Sequence, residues 1–444
     1  MLKTNNIIIQ SLHNLKIEKL TLMQENVLKI FSAKKDIILL SPTGSGKTLA
    51  YLLPLLNSLH SEKHKVQAMI LVPSRELALQ IDTVFRMMKT AWTSACCYGG
   101  HSISEEKRIL AQNCPTIIIG TPGRITDHLK RKNINSTNIH TLIIDEFDKS
   151  LELGFQNEMS EIVNNLPRIK KKVLSSATEI ENIPDFLKLE QTIKLDYLPK
   201  IQNNVDSRLT IMKVHANSKD KIEVLYQLLC ASGHGSYIVF CNHRDAVDRI
   251  YKLLVEKKIS VERFHGGMEQ IARERSLYKF RNGSSYVLIA TDLAARGLDI
   301  AEIKHVIHYH LPINEETFIH RNGRAARWNT TGTSYLILNE SENVPTYIQG
   351  DIETFKLPIR FSRFPQPLWD TLYIGKGKKE KISRIDIVGF LYKKGNLNKD
   401  DIGMINIKEH YSFVAVSRSK VNILLKLVQG EKIKGMKTII EKAK

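Results

Sequence analysis

Short, unbroken apolar runs recur along the chain and alternate with stretches of helical period. The first four are Asp36-Ile37-Ile38-Leu39-Leu40, Ala68-Met69-Ile70-Leu71-Val72, Thr116-Ile117-Ile118-Ile119 and Thr141-Leu142-Ile143-Ile144. They are continuous rather than alternating, which predicts strands of a parallel sheet covered on both faces. The rhythm resumes at Tyr237-Ile238-Val239-Phe240, Tyr286-Val287-Leu288-Ile289-Ala290, His305-Val306-Ile307 and Ser334-Tyr335-Leu336-Ile337-Leu338. Two successive α/β units follow from this pattern, spanning residues 1–197 and 208–357. Residues 198–207 between them are polar, without a clear period, and form a linker. Pro358, Pro365 and Pro367 interrupt any helix or central strand, so 358–370 is a second linker.

The remaining block, 371–444, predicts the order β-α-β-β-α-β. Thr371-Leu372-Tyr373-Ile374 is a short strand, followed by a basic loop at Lys376, Lys378 and Lys379. Ser383 with Asp386 three residues later has the spacing of a capping box at a helix start. Ile385, Val388 and Tyr392 fall on one face of that helix. Met404–Ile407 and Tyr411–Val416 suggest a hairpin, Val421–Val428 a second helix, and Thr438–Ile440 a last strand.

Length and charge sharpen the picture. The 444 residues suit two to four domains, and 42% hydrophobic content excludes wholesale disorder. The formal charge is +19. From Lys376 to Lys444 there are 17 Lys and Arg against 7 Asp and Glu, a surplus of ten, over half of the total. A folded basic module points to a polyanion, most often nucleic acid. A membrane surface ranks lower, because no strongly amphipathic basic helix stands near a lipid anchor. No apolar run approaches the ~18–20 residues of a membrane span, and Ile7-Ile8-Ile9 is too short for a signal-peptide core. Five irregularly spaced cysteines without a CxxC pair suggest neither a disulfide framework nor a zinc ribbon. The expected compartment is a reducing cytoplasm.

The chemistry of the first unit begins where its first strand ends. Ser41-Pro42-Thr43-Gly44-Ser45-Gly46-Lys47-Thr48 leads into the helical Leu49-Ala50-Tyr51-Leu52-Leu53. Strand, glycine-rich loop and helix N-terminus form a phosphate cradle. Backbone N–H groups face the anion, Lys47 reaches the outer phosphates, and the Thr48 hydroxyl can hold Mg²⁺. About a hundred residues on, Leu142-Ile143-Ile144 ends in Asp145-Glu146-Phe147-Asp148. Acidic groups at the carboxyl end of a parallel strand sit where open α/β sheets bind ligands. Asp145 suits Mg²⁺ held through water, and Glu146 suits orienting an attacking water as general base.

With these residues in hand, the chain resembles the DEAD-box RNA helicases from about Lys16 to Leu338. Asp145-Glu146-Phe147-Asp148 resembles the family's name motif, with Phe147 where Ala is usual. The resemblance implies that Gln24 reads adenine. It implies RNA-backbone contacts for Pro73 and Arg75, Gly99 and Gly100, and Thr121, Pro122, Gly123 and Arg124. Ser176-Ala177-Thr178 matches the motif that couples hydrolysis to strand separation. Thr291, in Ala290–Asp299, implies a further RNA contact, and Asp299 a ribose contact. His320, Arg324 and Arg327 match the last motif, in which Arg324 and Arg327 act as arginine fingers when the two domains close. Ile17 stands where Phe is usual, which implies a less enclosed adenine pocket. Gly267 replaces a usual Asp and Ala326 a usual Gly; neither removes a catalytic group.

The C-terminal block resembles the RNA-binding domain of DbpA-type bacterial helicases, including the YxiN group. The shared features are the glycine-lysine loop, the Asp400-Asp401-Ile402-Gly403 turn and the Tyr411–Val416 strand. The fold so implied is α/β: two tandem RecA-like parallel-sheet domains followed by a small α+β domain of RNA-recognition-motif type. Tyr411 and Phe413 have the spacing to share one sheet face, where they could stack bases or belong to a core. The implied activity is that of an RNA-stimulated ATPase and RNA helicase using ATP and Mg²⁺. Its implied partners are structured large-subunit ribosomal RNA and a pre-ribosomal particle, with the protein acting as a monomer. Two alternatives remain open here. An ATP-gated RNA clamp or chaperone would hydrolyse ATP only to reset its grip. A DNA translocase would be stimulated by DNA rather than RNA, and the full RNA-helicase motif set and the RNA-type C-terminal module argue against it.

Overall fold

A computed structural model describes residues 6–42, 44–60, 65–100, 102–180, 182–198, 209–295, 303–325, 331–350 and 352–443. Thr43, Asp299, Ala326 and Arg327 therefore lie outside the described residues, as does nearly all of 198–207. The chain forms two compact units, and the second includes the C-terminal module. Among the described residues, no helix is long and apolar enough to cross a membrane.

The first unit is built on seven parallel strands: β1 Ile37–Leu40, β2 Ala68–Leu71, β3 Ser94–Cys97, β4 Ile117–Gly120, β5 Thr141–Ile144, β6 Lys171–Ser176 and β7 Ile193–Asp196. Their order is β3-β4-β2-β5-β6-β1-β7. The continuous apolar runs are explained by two cores, one on each face. Ile37 and Leu39 join Ile70, Ile117, Ile143 and Val173 in the first. Ile38 and Leu40 join Met69, Leu71, Ile118, Leu142 and Leu174 in the second. Phe147 is fully buried in that second core, so the larger side chain in the acidic motif fills space among β-strand residues. Ile7-Ile8-Ile9 belongs to the helix Asn6–Leu15, with Ile8 buried in the first core.

The second unit repeats the architecture. Its strands are β8 Leu209–Ala216, β9 Tyr237–Cys241, β10 Val261–Phe264, β11 Val287–Thr291, β12 His305–His308, β13 Gly332–Asn339 and β14 Glu353–Thr354. They run parallel in the order β10-β11-β9-β12-β13-β8-β14. Outer strands such as β8 and β10 carry charged or polar residues among the apolar ones, so the run-of-apolars criterion finds the central strands first.

The C-terminal module is a four-stranded antiparallel sheet with two helices. Its strands are β15 Trp369–Ile374, β16 Ile402–Ile407, β17 Ser412–Ser417 and, after a small hairpin of β18 Lys432–Ile433 and β19 Met436–Lys437, β20 Ile440–Lys442. The order is β16-β17-β15-β20. The expected β-α-β-β-α-β sequence is present, with differences of extent, the hairpin strands included. β15 begins at Trp369, before the anticipated Thr371. The second helix is Arg418–Leu427, and the last strand is Ile440–Lys442 rather than Thr438–Ile440. Ser383 and Asp386 form the expected capping box on the helix Arg384–Lys393. Ile385, Val388 and Tyr392 do share a face, but it points outward, with Ile385 83% exposed. Ile387, Phe390 and Leu391 supply the core instead, against Leu372, Val414 and Leu424.

Two buried histidines make the second unit sensitive to acid. Burial, with Arg321 adding to it, pushes the His308 imidazole down to about 3. Burial and the neighbouring Lys304 push His305 down to about 4. The unfolded chain takes up these protons near pH 6.5, while the folded chain does not. Stability is therefore full above that pH and declines as pH falls, by about 1.4 kcal/mol per pH unit for each histidine. Urea unfolding of the second unit should show this fall between pH 6.5 and 5, above most carboxylate titration. A midpoint constant over that window would mean that the native imidazoles take up protons as readily as those of the unfolded chain.

Candidate nucleotide and RNA sites

Strand order builds the first site. β5, β6 and β1 are neighbours, with Ile144 paired to Leu174 and Leu40 paired to Ser176. Their carboxyl ends bring together residues far apart in sequence: the loop after Leu40, the acidic turn after Ile144 and the Ser-Ala-Thr segment at the end of β6.

The phosphate loop is held from several sides. The Ser41 N–H donates to the Ser176 carbonyl at 3.0 Å, and the Ser41 hydroxyl donates to Ser45 Oγ at 2.7 Å. Ser41, which stands where the strict motif has glycine, thus ties the two ends of the loop together. Gly44 and Gly46 have φ of +82° and +90°. Gly46 precedes the helix Lys47–Ser58, and a Cβ there would meet Gln24 Nε2 at 2.5 Å. Lys47 is buried, and its ammonium donates to the carbonyls of Ser41 and Pro42. The Gln24 side chain bridges two segments: its oxygen accepts from the Thr21 N–H at 2.9 Å, and its amide donates to the Gly46 carbonyl at 3.2 Å. Thr21 caps the helix Leu22–Ile30 in return.

The acidic turn is equally constrained. Asp145 accepts from the Tyr51 hydroxyl at 2.8 Å, from the Glu146 N–H at 3.0 Å and from the Ser175 hydroxyl. Burial first, then the Asp145 charge, raises the Tyr51 phenol well above its ordinary value, so it stays a donor. The neighbouring Thr48 hydroxyl acts on the same phenol in the opposite sense, lowering it. Thr48 and Asp145 therefore converge on one phenol. Glu146 is buried with φ +48°, a left-handed turn at the start of the helix Phe147–Glu152. Asp148 accepts from the Thr178 hydroxyl at 2.8 Å, and the Ser176 hydroxyl donates to the Thr178 carbonyl at 2.6 Å. The acidic motif and Ser176-Ala177-Thr178 are thus in direct contact. Tyr51 and Ser175 are site residues that sequence reasoning missed. Tyr51 could have been suspected from its place one helical turn after Lys47.

A second constellation lies at the ends of β3 and β4, which are also neighbours. The Arg75 guanidinium lies over Gly99 and Gly100. Gly100 has φ +100°, and a Cβ on it would meet Arg75 Nη1 at 2.5 Å. Thr121 precedes the helix Pro122–Lys130, with Pro122 in its first turn. Buried Glu106 joins these segments. It accepts from the Tyr98 N–H at 3.2 Å and from His128 Nε2 at 2.7 Å, and it lies 3.6 Å from Arg124 Nε. Sequence reasoning passed over Glu106 and His128, whose spacing carries no local signal.

In the second unit, Thr291 is buried at the end of β11. Arg321 is 1% exposed and grips Asp292 with two nitrogens, at 2.6 and 2.8 Å. It also donates to the His310 carbonyl and Asn242 Oδ1 and lies 5.1 Å from the Phe240 ring centroid. This anchor fixes the segment that carries His320 and Arg324, both buried. Asp299 and Arg327 fall outside the described residues. Lys378 and Lys379 are exposed on a short turn whose N–H groups donate to the Lys408 and Glu409 carbonyls at 2.9 Å.

Comparison with known proteins agrees with this geometry. Residues 21–186 match the DEAD/DEAH box helicase family, 220–329 the helicase conserved C-terminal domain and 371–442 the DbpA RNA binding domain. The chain is 32% identical to the ATP-dependent RNA helicase DbpA of Escherichia coli, over 94% of this chain and 93% of that protein. It is 29% identical to DbpA of Bacillus subtilis, over 98% and 97%. Among solved structures it is similar to S. cerevisiae Dbp5 bound to RNA and ADP BeF3. There the TM-score is 0.68 and the identity 28%, over 77% of this chain and 89% of that one. A phosphate loop, an acidic turn and two tandem RecA-like sheets define a nucleotide-hydrolysing motor class. Within that class, the chain belongs to the DEAD-box ATP-dependent RNA helicases, which hydrolyse ATP in an RNA-stimulated way.

Two substitutions test the geometry. Gly46→Ala forces a Cβ into Gln24 at a left-handed position, so ATP affinity should fall by roughly tenfold, given the ~1–2 kcal/mol such a position costs. Nucleotide titration checks this, and unchanged affinity would mean that the loop relaxes freely. Glu106→Ala leaves His128 and Arg124 without their carboxylate, at a cost of about 1–3 kcal/mol. It should raise the RNA concentration for half-maximal ATPase stimulation while leaving ATP affinity intact. Equal loss of both would show a general folding defect.

Proposed function

We propose that the protein locally unwinds or remodels structured RNA, with large-subunit ribosomal RNA in a pre-ribosomal particle as its target, acting as a cytoplasmic monomer. What carries this reading is the combination, in one chain, of the phosphate-loop site with a folded basic module matched by the DbpA RNA binding domain. Residues 1–197 serve as the ATP-binding domain, 208–357 as the second helicase domain and the C-terminal block as the RNA-binding domain, joined by 198–207 and 358–370.

Gln24 reads adenine. Ser41, Thr43, Gly44, Ser45, Gly46 and Lys47 hold the phosphates, and Asp299 holds the ribose. The oxygen donors of Thr48 and Asp145 fit Mg²⁺, which takes few protein ligands and keeps several waters. The protein hydrogen bonds already made by Asp145 favour contact through water. Bound there, Mg²⁺ would neutralise charge on the phosphates. Glu146 orients the attacking water. Ser176 and Thr178 pass the state of the acidic turn to the RNA site through the Thr178–Asp148 bond. His320, Arg324 and Arg327 complete the site on domain closure, the two arginines as fingers worth roughly 10³–10⁵ in rate. Pro73, Arg75, Gly99, Gly100, Thr121, Pro122, Gly123, Arg124 and Thr291 grip the RNA backbone, which carries no sequence information. Selectivity then falls to the module, where Lys376, Lys378 and Lys379 contact the structured target.

Lys47→Ala and Glu146→Gln should both abolish turnover but part company in binding. The first removes a phosphate ligand and weakens ATP binding. The second keeps ATP and RNA bound in a closed state, and equal loss of ATP affinity in both would contradict these roles. Arg324→Ala should lower the catalytic rate by orders of magnitude with ATP affinity little changed.

The selectivity reading is tested by a Lys376→Ala/Lys378→Ala/Lys379→Ala variant, titrated with a ribosomal hairpin and with a generic duplex. Deletion of the module would uncover buried Tyr278, so point changes are the cleaner probe. The ratio of the two half-stimulation concentrations should move toward one. The log–log salt slope should become shallower by roughly 0.7–0.9 for each phosphate that the loop no longer neutralises. An unchanged ratio would leave the loop as a nonspecific tether.

A further inference from the structure

An RNA-recognition-type sheet ordinarily presents its aromatic residues to stacked bases. Here that face is already occupied. Phe413, at the centre of β17, is 1% exposed and stacks on Tyr278 with ring centroids 5.2 Å apart. Tyr278 belongs to the helix Gln270–Arg281 of the second helicase domain. Tyr373 and Tyr411 close around Phe413 at 6.0 and 5.3 Å. The Tyr278 hydroxyl donates to the Met404 carbonyl on β16.

Two polar clamps flank this aromatic stack. At one end, Asn282 Nδ2 donates to the Thr371 hydroxyl at 2.8 Å, and Ser284 Oγ lies 2.9 Å from the same oxygen. All three residues are buried. At the other end, Glu274 pairs with Lys408 Nζ at 2.7 Å and accepts from the Tyr411 hydroxyl at 3.1 Å. Gln270, one helical turn earlier, donates to the same carboxyl group at 3.0 Å. Burial alone would raise the Glu274 carboxyl, but Lys408, Gln270 and Tyr411 together hold it below the ordinary value. It is an ionised, fully engaged group.

Lys408 faces two ways. Its ammonium binds Glu274, while its backbone carbonyl accepts from the Lys378 N–H at 2.9 Å. The residue after Tyr411, Ser412, donates to the Lys376 carbonyl at 2.8 Å. The basic loop and the helix Gln270–Arg281 are thus linked through one short turn. We propose that the sheet face of the C-terminal module is a docking surface for this helix, not an RNA platform. Through the Lys408 turn, it holds the basic loop in fixed register to the second helicase domain. RNA gripped by the loop is then delivered to that domain at a set distance rather than on a free tether. The functional half of this proposal rests on the reading of the module as the selectivity element. The docking half does not.

The test uses the full-length protein as Glu274→Lys, as Lys408→Glu and as the reciprocal pair. Spin labels at exposed Glu256 and Asn396 report the distance between domain and module. Wild type should give one narrow distribution, each single reversal a broad one, and the pair a narrow one again. A broad distribution in wild type, or no broadening in either single variant, overturns the docking. In parallel, each protein's ATPase is titrated with the ribosomal hairpin and with generic duplex RNA. Undocking converts a fixed site into a flexible tether, so each single variant should lose about tenfold of its hairpin preference, and the pair should recover it. Undocking with preference intact overturns the coupling. If wild type itself shows no hairpin preference, the selectivity reading fails and the coupling fails with it, while the spin-label distances still decide the docking.

Discussion

Everything at the nucleotide site follows from the neighbour relations of three strands. A parallel sheet covered on both faces leaves only its ends for chemistry, and all strands share the same carboxyl end. With β5, β6 and β1 side by side, the phosphate loop, the acidic turn and the Ser176 segment meet without any long side chain having to reach. Asp145 can then take donors from Tyr51 and Ser175, each from a different element. Another strand order would scatter these groups, whatever the residues in each loop.

The same chain solves a second problem, the burial of charge next to working surfaces. An unpaired buried charge is costly, and Arg321 and Glu106 are each surrounded by partners. Arg321 is held by Asp292, Asn242 and the His310 carbonyl, and Glu106 by His128, Arg124 and the Tyr98 amide. Each of these residues touches segments that the family resemblance assigns to RNA or nucleotide contact. They act behind the contacting residues, fixing where those can point. Glu274 has the same character at the base of the C-terminal module.

Much of this was legible in the amino-acid order. Central strands could be read because both faces are buried, which leaves an uninterrupted apolar run. The phosphate loop and acidic turn could be read because their chemistry is local: backbone geometry set by Gly44 and Gly46, and carboxylates at a strand end. The capping box at Ser383 and Asp386 is local as well. Edge strands such as β10 and β14 escaped, because β10 carries Glu262 and Arg263 between its apolar ends and the two residues of β14 leave no period to detect. The face carrying Ile385, Val388 and Tyr392 was recognisable as a face. Its outward direction was not, because apolar residues on a helix do not state which side the sheet will cover.

The sequence by itself determined the fold class, the central strands and the identity of the glycine-loop and acidic-turn residues, since each depends on neighbours within a few positions. Only the tertiary structure decided which strands lie side by side, that Tyr51 and Ser175 support Asp145, and that Glu106 joins the segment at Tyr98 to the helix carrying Arg124 and His128. It also decided the fate of Tyr411 and Phe413. Their alternation fits a base-stacking face and a buried face equally well, and the choice was made by Tyr278, more than a hundred residues away. Long-range packing of this kind leaves no periodic trace in the chain, because either partner alone is simply another aromatic residue.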